Sequence, residues 1–422
     1  MQLVEKHVIS KSDPRYDAID KAAFASKNLY NAALYEIRQS FIHQGKYIYY
    51  NQMDKIMQKH EAYRRLSCKV SQQILRQLAH DWESFFKALD AYREDPSKFL
   101  GRPKLPGYKD KAQGRNMLVY TIQALSKPAL KQGIIKPSGL PIEIKTQHRN
   151  VDQVRIVPRN GFYVVEVVYE RDKVQAQVDP ALLASVDIGV NNLVALTSNK
   201  TGFTPRLVNG RPIKSINQYY NKQREHHQKK MGTNHSNSRE LECITNKRTR
   251  RIDHYMHAAS RRIVDLLTAE GIGTLIIGKN PLWKQDPTMR KKDAQHFVQL
   301  PHARFIDMLS YKAQLVGIQV VVQEESYTSK ASFLDLDPIP IYGKEEGEPV
   351  FSGRRVKRGM YKSGNKRKIN ADVNGSYNIM RKASPNAFRS NGVEDVNEML
   401  ASLVVHPVRI VVPLRTQMSR KR

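Results

Sequence analysis

Hydrophobic positions recur every three to four residues along the first quarter of the chain. Within residues 13–95, apolar side chains such as Ile74, Leu78 and Trp82 alternate with lysine, arginine and other polar residues. This spacing matches the 3.6-residue turn of an α-helix with one side facing a core. We therefore predict a helical region over residues 13–95, preceded by a short strand within residues 1–12.

The pattern changes after this helical region. A segment rich in proline, glycine and cations, residues 101–109, leads into short strand-like runs bounded by turn residues. These runs are Met117–Ile122, Ile142–Lys145, Gln153–Pro158 and Phe162–Tyr169. They predict a small antiparallel barrel or sandwich over residues 96–180. The strand within residues 1–12 would complete it, which makes the helical region an insertion.

Apolar strands and amphipathic helices alternate over residues 181–383. Their order is three strands, helix, strand, helix, strand, helix. This is the order of an RNase H fold, in which helices pack on both faces of a mixed sheet. An irregular segment, residues 330–369, precedes the last helix. The tail over residues 384–422 contains an apolar run, Leu403–Val412, to which the pattern assigns no place. The predicted fold class is multi-domain α/β.

The charge of the chain changes this picture from a generic α/β protein to one that binds nucleic acid. Lysine and arginine number 70 against 40 acidic residues, which gives a formal net charge of +30. An excess of this size repels itself unless an anionic partner offsets it. Nucleic acid is the expected partner, bound through its phosphates with release of counterions.

The sequence gives no sign of a membrane segment or a zinc site. No apolar run approaches the roughly 20 residues that a membrane span requires, and residues 1–7 lack the apolar core of a secretory signal. We therefore expect a cytoplasmic, nucleoid-associated protein. Cys68 and Cys243 form no CxxC pair, so we do not expect a four-thiolate zinc site.

Two acidic residues stand at the boundaries of apolar elements. Asp187 closes the apolar run of residues 182–187, and Asp372 opens a helix in which Asn374 and Asn378 follow one turn apart. Both segments look like the first and last acidic motifs of a RuvC-type nuclease. Phosphodiester cleavage by two divalent ions requires carboxylates that converge on metals about 4 Å apart, and Mg²⁺ prefers oxygen ligands. We therefore predict that Asp187 and Asp372 bind metal.

A third acid is needed between these two, and its position is open. The strand expected to supply it ends at Gly278, which has no side chain. The next strand ends near Glu324 and Glu325, and because adjacent strands lie about 4.8 Å apart, one of these glutamates could reach the same metal pair. Consecutive side chains in a strand face opposite ways. We favour Glu325, which lies beyond the regular strand and is freer to turn inward, and keep Glu324 as the alternative.

Six short strings along the chain carry a resemblance to a known family. They are Lys27–Asn31, Leu105–Lys109, Asp187–Val190, Tyr311–Ala313, Tyr327–Lys330 and Asp372–Asn374. In this order they resemble TnpB, an RNA-guided DNA nuclease encoded by bacterial transposons, also called an OrfB-type transposase and related to type V CRISPR effectors. The resemblance covers roughly residues 1–385.

The resemblance implies a domain organisation and partners. Residues 1–12 and 96–180 would form a wedge β-barrel, residues 13–95 an inserted helical recognition lobe, and residues 181–383 a RuvC nuclease domain. A guide RNA from the transposon end and double-stranded target DNA would be the partners, and base pairing would read the target sequence. The expected cofactor is a pair of Mg²⁺ ions, with Mn²⁺ as a substitute and no zinc.

The chain departs from the family in two places. The family usually has glutamate where this chain has Gly278, and a four-cysteine zinc ribbon between Lys330 and Asp372, where this chain has no cysteine. Eight cations and no acid lie between Phe351 and Asn370 instead. We predict that this basic insertion contacts phosphate near the active site without a metal. The residues expected to bind nucleic acid are Lys104, Tyr108, Lys109, Arg250, Arg251, Arg354, Arg355, Lys357 and Arg358.

The leading hypothesis is an RNA-guided, Mg²⁺-dependent DNA endonuclease that first cuts a displaced single strand. The alternative is a nuclease-dead, RNA-guided DNA-binding protein that acts as a transcriptional repressor. A strand-transferring transposase comes last, because the resemblance is to the accessory nuclease. The presence of both Asp187 and Asp372 favours the nuclease.

Overall fold

The computed structural model describes residues 1–231, 238–280, 291–344, 347–388 and 406–412. The chain forms two compact units, Met1–Arg171 and Asp172–Arg422. Each unit has its own buried apolar core. None of the described helices is both long and apolar enough to cross a bilayer.

An antiparallel sheet runs through the first unit. Its strands and those of a separate two-stranded ribbon are β1 (Gln2–Ser10), β2 (Leu118–Thr121), β3 (Ile134–Ile135), β4 (Ile144–Lys145), β5 (Val151–Arg159) and β6 (Phe162–Glu170). The sheet has the order β1-β6-β5-β2, and β3 pairs with β4. Because β1 pairs with β6 along its whole length, the amino-terminal strand belongs to the same sheet as the strands that follow the helices.

The helices of the first unit lie between β1 and β2 in the chain, apart from one short helix. They are α1 (Tyr16–Gln44), α2 (Tyr50–Met57), α3 (Glu61–Arg64), α4 (Cys68–Glu94) and the short α5 (Lys127–Lys131), with 3₁₀ turns at Pro96–Lys98 and Ile122–Ala124. The predicted periodicity of α4 is real, since Ile74, Leu78 and Trp82 are all buried. The Trp82 ring lies edge-on to Phe41 of α1, with 5.2 Å between centroids.

A mixed sheet forms the centre of the second unit. The strands of this unit are β7 (Asp179–Asp187), β8 (Asn192–Ser198), β9 (Arg206–Asn209), β10 (Ile272–Gly278), β11 (Gln319–Gln323), β12 (Arg354–Lys357), β13 (Met360–Lys362), β14 (Lys368–Asn370) and β15 (Val408–Ile410). The central sheet has the order β11-β10-β7-β8-β9-β15. β10 runs parallel to β7 and β11, whereas β8 runs antiparallel to β7. The predicted RNase H-like α/β fold is confirmed.

Helices cover both faces of this sheet. They are α6 (Arg211–Met231), α7 (Arg239–Ala269), α8 (Lys291–Gln299), α9 (His302–Leu315) and α10 (Ala371–Ala383). Leu275 of β10 lies in the core shared with α7 and α9, while its neighbour Ile276 lies in the core shared with α10. Because successive strand residues face opposite sides, α10 packs on the face opposite to α7 and α9.

The prediction that residues 330–369 are irregular is wrong for their last part. β12, β13 and β14 form a small antiparallel sheet that leads directly into α10. The sequence hides this sheet because all four residues of β12 are exposed, so no alternation of apolar and polar positions marks the strand. Its buried anchor is Tyr361 of β13, which donates a hydrogen bond to the Lys330 carbonyl at 2.7 Å.

Part of the tail extends the central sheet. β15 lies within the apolar run Leu403–Val412 and pairs in parallel with β9, adding a sixth strand at the edge. Residues 389–405 and 413–422 of the predicted tail lie outside the described residues.

Candidate active site

The first and last predicted acids lie on elements that touch each other. Asp187 is the last residue of the central strand β7, and Asp372 is the second residue of α10, which packs on β7. The backbone of α10 comes so close that a methyl group at Gly375 would lie 2.8 Å from Oδ2 of Asp187. This contact covers the Asp187 carboxylate on the side of the helix.

Three buried hydroxyl groups fix α10 against the strands. Ser185 of β7, Thr197 of β8 and Ser376 of α10 are fully buried, and their oxygens lie 2.9 to 3.2 Å apart. The Ser185 hydroxyl also donates to the Ser376 carbonyl at 2.6 Å, and the Ser376 hydroxyl donates to the Ser185 carbonyl at 2.9 Å. A buried, fully bonded network of this kind is rigid, so it sets the position of Asp372 relative to Asp187. Nothing in the sequence distinguishes these hydroxyl residues from ordinary ones.

The structure turns Glu325 towards Asp187. A methyl group built on Gly278 would lie 2.2 Å from Oε2 of Glu325, so this carboxylate occupies the space that a side chain at position 278 would fill. The Oε2 atom is buried and has no hydrogen-bond partner among the described residues. A buried carboxylate oxygen without a partner is costly and marks a place where a cation or a proton is expected.

The Glu324 carboxylate, unlike Oε2 of Glu325, has hydrogen-bond partners among the described residues. It receives a hydrogen bond from Lys382 Nζ of α10 at 2.5 Å and another from the Ser326 backbone N–H at 2.6 Å. The Lys382 side chain is only 7% exposed, so this ion pair is largely withdrawn from water. The two consecutive glutamates therefore have separate surroundings: Glu325 contributes to the acidic site, and Glu324 fastens its loop to α10.

Two asparagines of α10 also hold this loop. Asn378 Nδ2 donates to the carbonyls of Thr328 and Ala331 at 3.0 and 2.7 Å. Asn374 Nδ2 donates to the Ala331 carbonyl at 2.8 Å, while its Oδ1 accepts from Phe333 N–H at 3.0 Å. Both asparagines are fully buried. Their one-turn spacing, visible in the sequence, thus positions the segment that carries Glu325.

Asp372 has a cationic partner from the small sheet. Arg355 of β12 donates to Oδ1 of Asp372 at 3.1 Å, and Asn192 Nδ2 donates to Oδ2 at 2.7 Å. In this arrangement no three acidic, histidine or cysteine side chains of the described residues form a ready metal cluster. A metal pair at this site would compete with Arg355 for the Asp372 carboxylate.

Burial and nearby negative charges raise the pKa values of two acids. Burial raises the pKa of Asp187 to about 7, with a further contribution from the charge of Asp372, and Arg355 opposes this rise. Burial raises the pKa of Glu325 to about 8, assisted by the charges of Asp187 and Glu324 and opposed by Lys382. A divalent cation would reverse both effects. The hard oxygen donors present fit Mg²⁺ or Mn²⁺.

These raised pKa values predict how the stability of the metal-free protein changes with pH. A carboxyl group of the unfolded chain ionises near pH 4, whereas the folded protein holds protons on Asp187 and Glu325 up to about pH 7 and 8. The folded state therefore binds more protons in this window, and the free energy of unfolding falls as the pH rises through it. We expect Glu325→Gln to raise the melting temperature at pH 8 by several degrees and to leave it unchanged near pH 4.

Differential scanning calorimetry in the presence of a chelator measures this effect. Glu324→Gln is the matched control, because hydrogen bonds from Lys382 and Ser326 lower the pKa of Glu324 against the effect of burial. The ion pair between Glu324 and Lys382 stabilises the folded protein at pH values above the pKa of this glutamate in the unfolded chain. Glu324→Gln should therefore lower the melting temperature at pH 8. Equal melting temperatures of Glu325→Gln and the wild type at pH 8 would mean that the buried carboxylate carries no unfavourable charge.

The predicted nucleic-acid residues of the first unit lie on a loop that α1 holds in place. The Asn31 side chain donates to the Lys109 carbonyl at 2.8 Å and accepts from the Lys109 N–H at 2.9 Å. The buried Lys27 donates to the Lys111 carbonyl at 2.7 Å. The loop exposes Lys104 and leaves Tyr108 48% exposed. Lys109, in contrast, turns its ammonium group over a tyrosine ring of α1 at 4.5 Å.

The predicted basic residues of the second unit are exposed. Arg250 and Arg251 lie on α7, and Arg354, Arg355, Lys357 and Arg358 lie on β12 and the turn after it. Among these, Arg355 is the one whose side chain bonds an acid of the candidate site. The structure thus brings the small basic sheet to the acids, while Arg250 and Arg251 belong to a separate helix surface.

Comparisons with known proteins place the chain among TnpB-like and Cas12f1-like sequences. Residues 166–283, which contain Asp187 and Gly278, match the family OrfB_IS605, described as a probable transposase. Residues 302–379, which contain Glu325 and Asp372, match the family described as Cas12f1-like, TNB domain. The chain is also similar to the TnpB-like protein ORF457 of Acidianus two-tailed virus, with 24% identity over 86% of this chain and 82% of the relative.

One solved structure has a similar fold at low sequence identity. The Cas12f1 chain of a Cas12f1–sgRNA–target DNA complex has a TM-score of 0.51 and 14% identity, over 86% of this chain and 81% of that chain. The mini-RNA-guided endonuclease CRISPR-Cas_phi3 has a TM-score of 0.44 and 10% identity, over 91% of this chain and 92% of that chain.

Proposed function

The chain belongs to the TnpB family, and from this premise we propose that it is a bacterial transposon's RNA-guided DNA endonuclease, cutting target DNA at a single RuvC site. The observation that carries the proposal is the position of Glu325. Its carboxylate fills the space left by Gly278, beside Asp187, so the chain keeps three acids although the strand position lacks one.

We propose that Asp187, Glu325 and Asp372 hold two Mg²⁺ ions, or Mn²⁺ in their place, without zinc. When bound, such a pair supplies an activated water and stabilises the leaving 3′ oxygen. Arg355 would then release Asp372 and contact the phosphate of the strand being cut, since guanidinium groups bind phosphate oxygens in the same way as carboxylate oxygens. Lys382 stays with Glu324 and keeps the Glu325 loop in place.

The proposed partners are a guide RNA from the transposon end and double-stranded target DNA. The net charge of +30 supports a polyanionic partner. The Cas12f1 structure of similar fold was determined with sgRNA and target DNA, which supports the same partner classes here. Exposed cations occur in both units, on the loop that carries Lys104 and on β12, as expected for a protein that holds a duplex by its backbone.

Cleavage of a matched plasmid tests the proposal. The protein is purified from cells that also transcribe the transposon end, the bound RNA is sequenced, and a plasmid library carries the matching target beside randomised flanking DNA. We expect linear product with Mg²⁺ for one subset of flanking sequences, and no product with EDTA because the acids cannot activate water without a metal.

One outcome would replace the proposal with the repressor alternative. The bond between Arg355 and Asp372 is the observation that favours this alternative, because it neutralises an acid needed for metal binding. If the complex binds the matched target tightly but leaves it uncut in both Mg²⁺ and Mn²⁺, the chain is a guided binding protein. Joined rather than cut DNA ends would indicate a strand-transferring transposase.

A further inference from the structure

Three aromatic side chains cluster next to Glu325 and have no role in the site described above. The ring of Tyr327, two residues after Glu325, lies 6.5 Å from the ring of Tyr342 and 6.2 Å from that of Phe351. Tyr342 is 73% exposed, and the other two rings are half-buried. We call these three residues the aromatic platform. Contiguous apolar groups left at a protein surface usually mark an interaction site.

The backbone of the platform is held in an unusual conformation. Tyr327 has a φ of 68°, in the left-handed region that residues with a bulky side chain rarely adopt. The Tyr327 carbonyl accepts hydrogen bonds from the N–H groups of Lys330 and Ala331, both at 2.9 Å, and Asn378 holds the adjacent Thr328 carbonyl. Strained residues of this kind persist where the surroundings fix them, often at functional sites. The same asparagine therefore holds the backbone of the loop that carries both Glu325 and Tyr327.

Cations lie beside the platform, among several acids. The Lys330 ammonium lies 5.8 Å from the centre of the Tyr327 ring, and Phe351 comes shortly before the exposed strand β12. The chain between Tyr342 and Phe351 carries Lys344 and three glutamates, Glu345, Glu346 and Glu348, and four exposed cations follow from Arg354 to Arg358. Aromatic rings beside cations match a single nucleic-acid strand, whose bases stack while its phosphates pair with the cations.

We propose that the aromatic platform stacks unpaired bases of the DNA strand being cut and thereby places the scissile phosphate at Asp187 and Glu325. This inference rests on the proposed nuclease function for the identity of the strand. A paired duplex hides its base faces, so the platform would accept a strand only after it has been separated from its complement. The platform therefore makes the site selective for single-stranded DNA.

Binding of a single strand tests the platform without any cleavage. The RNA-free protein, kept in EDTA, is titrated into a short DNA oligonucleotide that carries 2-aminopurine, whose fluorescence is quenched when the base stacks on a ring. We expect quenching with the wild type and with Tyr342→Phe. Tyr342→Ala should bind about tenfold more weakly and quench less, because stacking contributes on the order of 1–3 kcal/mol per base. Tyr219→Ala, which removes a 59% exposed ring from α6, is the matched control and should behave like the wild type.

The salt dependence of binding separates stacking from loss of structure or charge. Tyr342→Ala should keep the wild-type slope of affinity against salt, while Arg354→Ala should lower the slope by about one phosphate contact. Affinity for a hairpin duplex of the same sequence should not change in Tyr342→Ala. The proposal would be overturned if Tyr342→Ala keeps the wild-type affinity for a single strand and the wild-type quenching. It would also be overturned if Tyr342→Ala changes the oligomeric state of the protein but still binds a single strand as the wild type does. If the protein quenches 2-aminopurine fluorescence but never cuts a guided target, single-strand stacking on the platform is supported and the proposed nuclease function is wrong.

Discussion

Glu325→Gln should reduce cleavage by the guide complex at least about 100-fold, since loss of even an outer-shell partner of a metal costs 10- to 100-fold. The substitution keeps the shape of the side chain but replaces the carboxyl group that fills the space beside Gly278 with a neutral amide. A neutral amide binds Mg²⁺ weakly compared with a carboxylate. Guided binding to the target should stay close to that of the wild type, because among the described residues no ion pair joins Glu325 to a basic side chain.

The neighbouring glutamate supplies the control for this experiment. Glu324→Gln removes a charge of the same sign one residue away, but this carboxylate bonds Lys382 and Ser326 rather than the acidic site. We expect a loss of about tenfold, the low end of the range for an outer-shell residue, because the loop becomes looser. Plasmid cleavage rates and gel-shift affinities of both variants, measured side by side, decide the matter. If Glu324→Gln abolishes cleavage while Glu325→Gln retains it, Glu324 is the third metal ligand.

The sequence allowed the order of elements and two acids of this site to be predicted. Apolar runs such as the one that ends at Asp187 mark strands buried on both faces, and the alternation of strands with amphipathic helices indicates the RNase H order. Asp372 could be located because it opens a helix in which Asn374 and Asn378 follow one turn apart, a string that resembles the last acidic motif of a RuvC-type nuclease. These predictions depend on local patterns, which the tertiary structure leaves intact.

The choice between Glu324 and Glu325 could not be made from local pattern. Both glutamates lie beyond the end of β11, so strand alternation no longer determines which way each side chain faces. The direction is set by partners far away in the chain: Asn280 accepts a hydrogen bond from the Glu325 N–H at 3.0 Å, and Lys382 binds Glu324. The small sheet of β12 to β14 was missed for a related reason, since its exposed, charged residues obtain their order from pairing and from Tyr361 rather than from a buried stripe.

A glutamate placed on β10 at position 278 should restore part of the cleavage activity that is lost when Glu325 is removed. Gly278→Ala alone should lower the cleavage rate more than about tenfold, in line with the cost of displacing a supporting group. The reason is that its methyl group would lie 2.2 Å from Oε2 of Glu325 and 2.6 Å from Cδ1 of Ile379. Both contacts involve the ends of flexible side chains. The fold should therefore survive with a small loss of stability, while the carboxylate moves out of place.

The double variant Gly278→Glu with Glu325→Gly then provides the decisive comparison. In the single variant Gly278→Glu, two carboxylates compete for one space, and the protein should be inactive. In the double variant the space is vacated, so a glutamate on β10 can reach the metal pair, and cleavage should exceed that of Glu325→Gly at least about tenfold, a strong coupling for residues in contact. Gly101→Ala, where an added methyl group meets nothing within 4 Å, controls for the glycine substitution itself. If Gly278→Ala cuts at the wild-type rate, or if the double variant is no better than Glu325→Gly, Glu325 does not replace the acid missing from the strand.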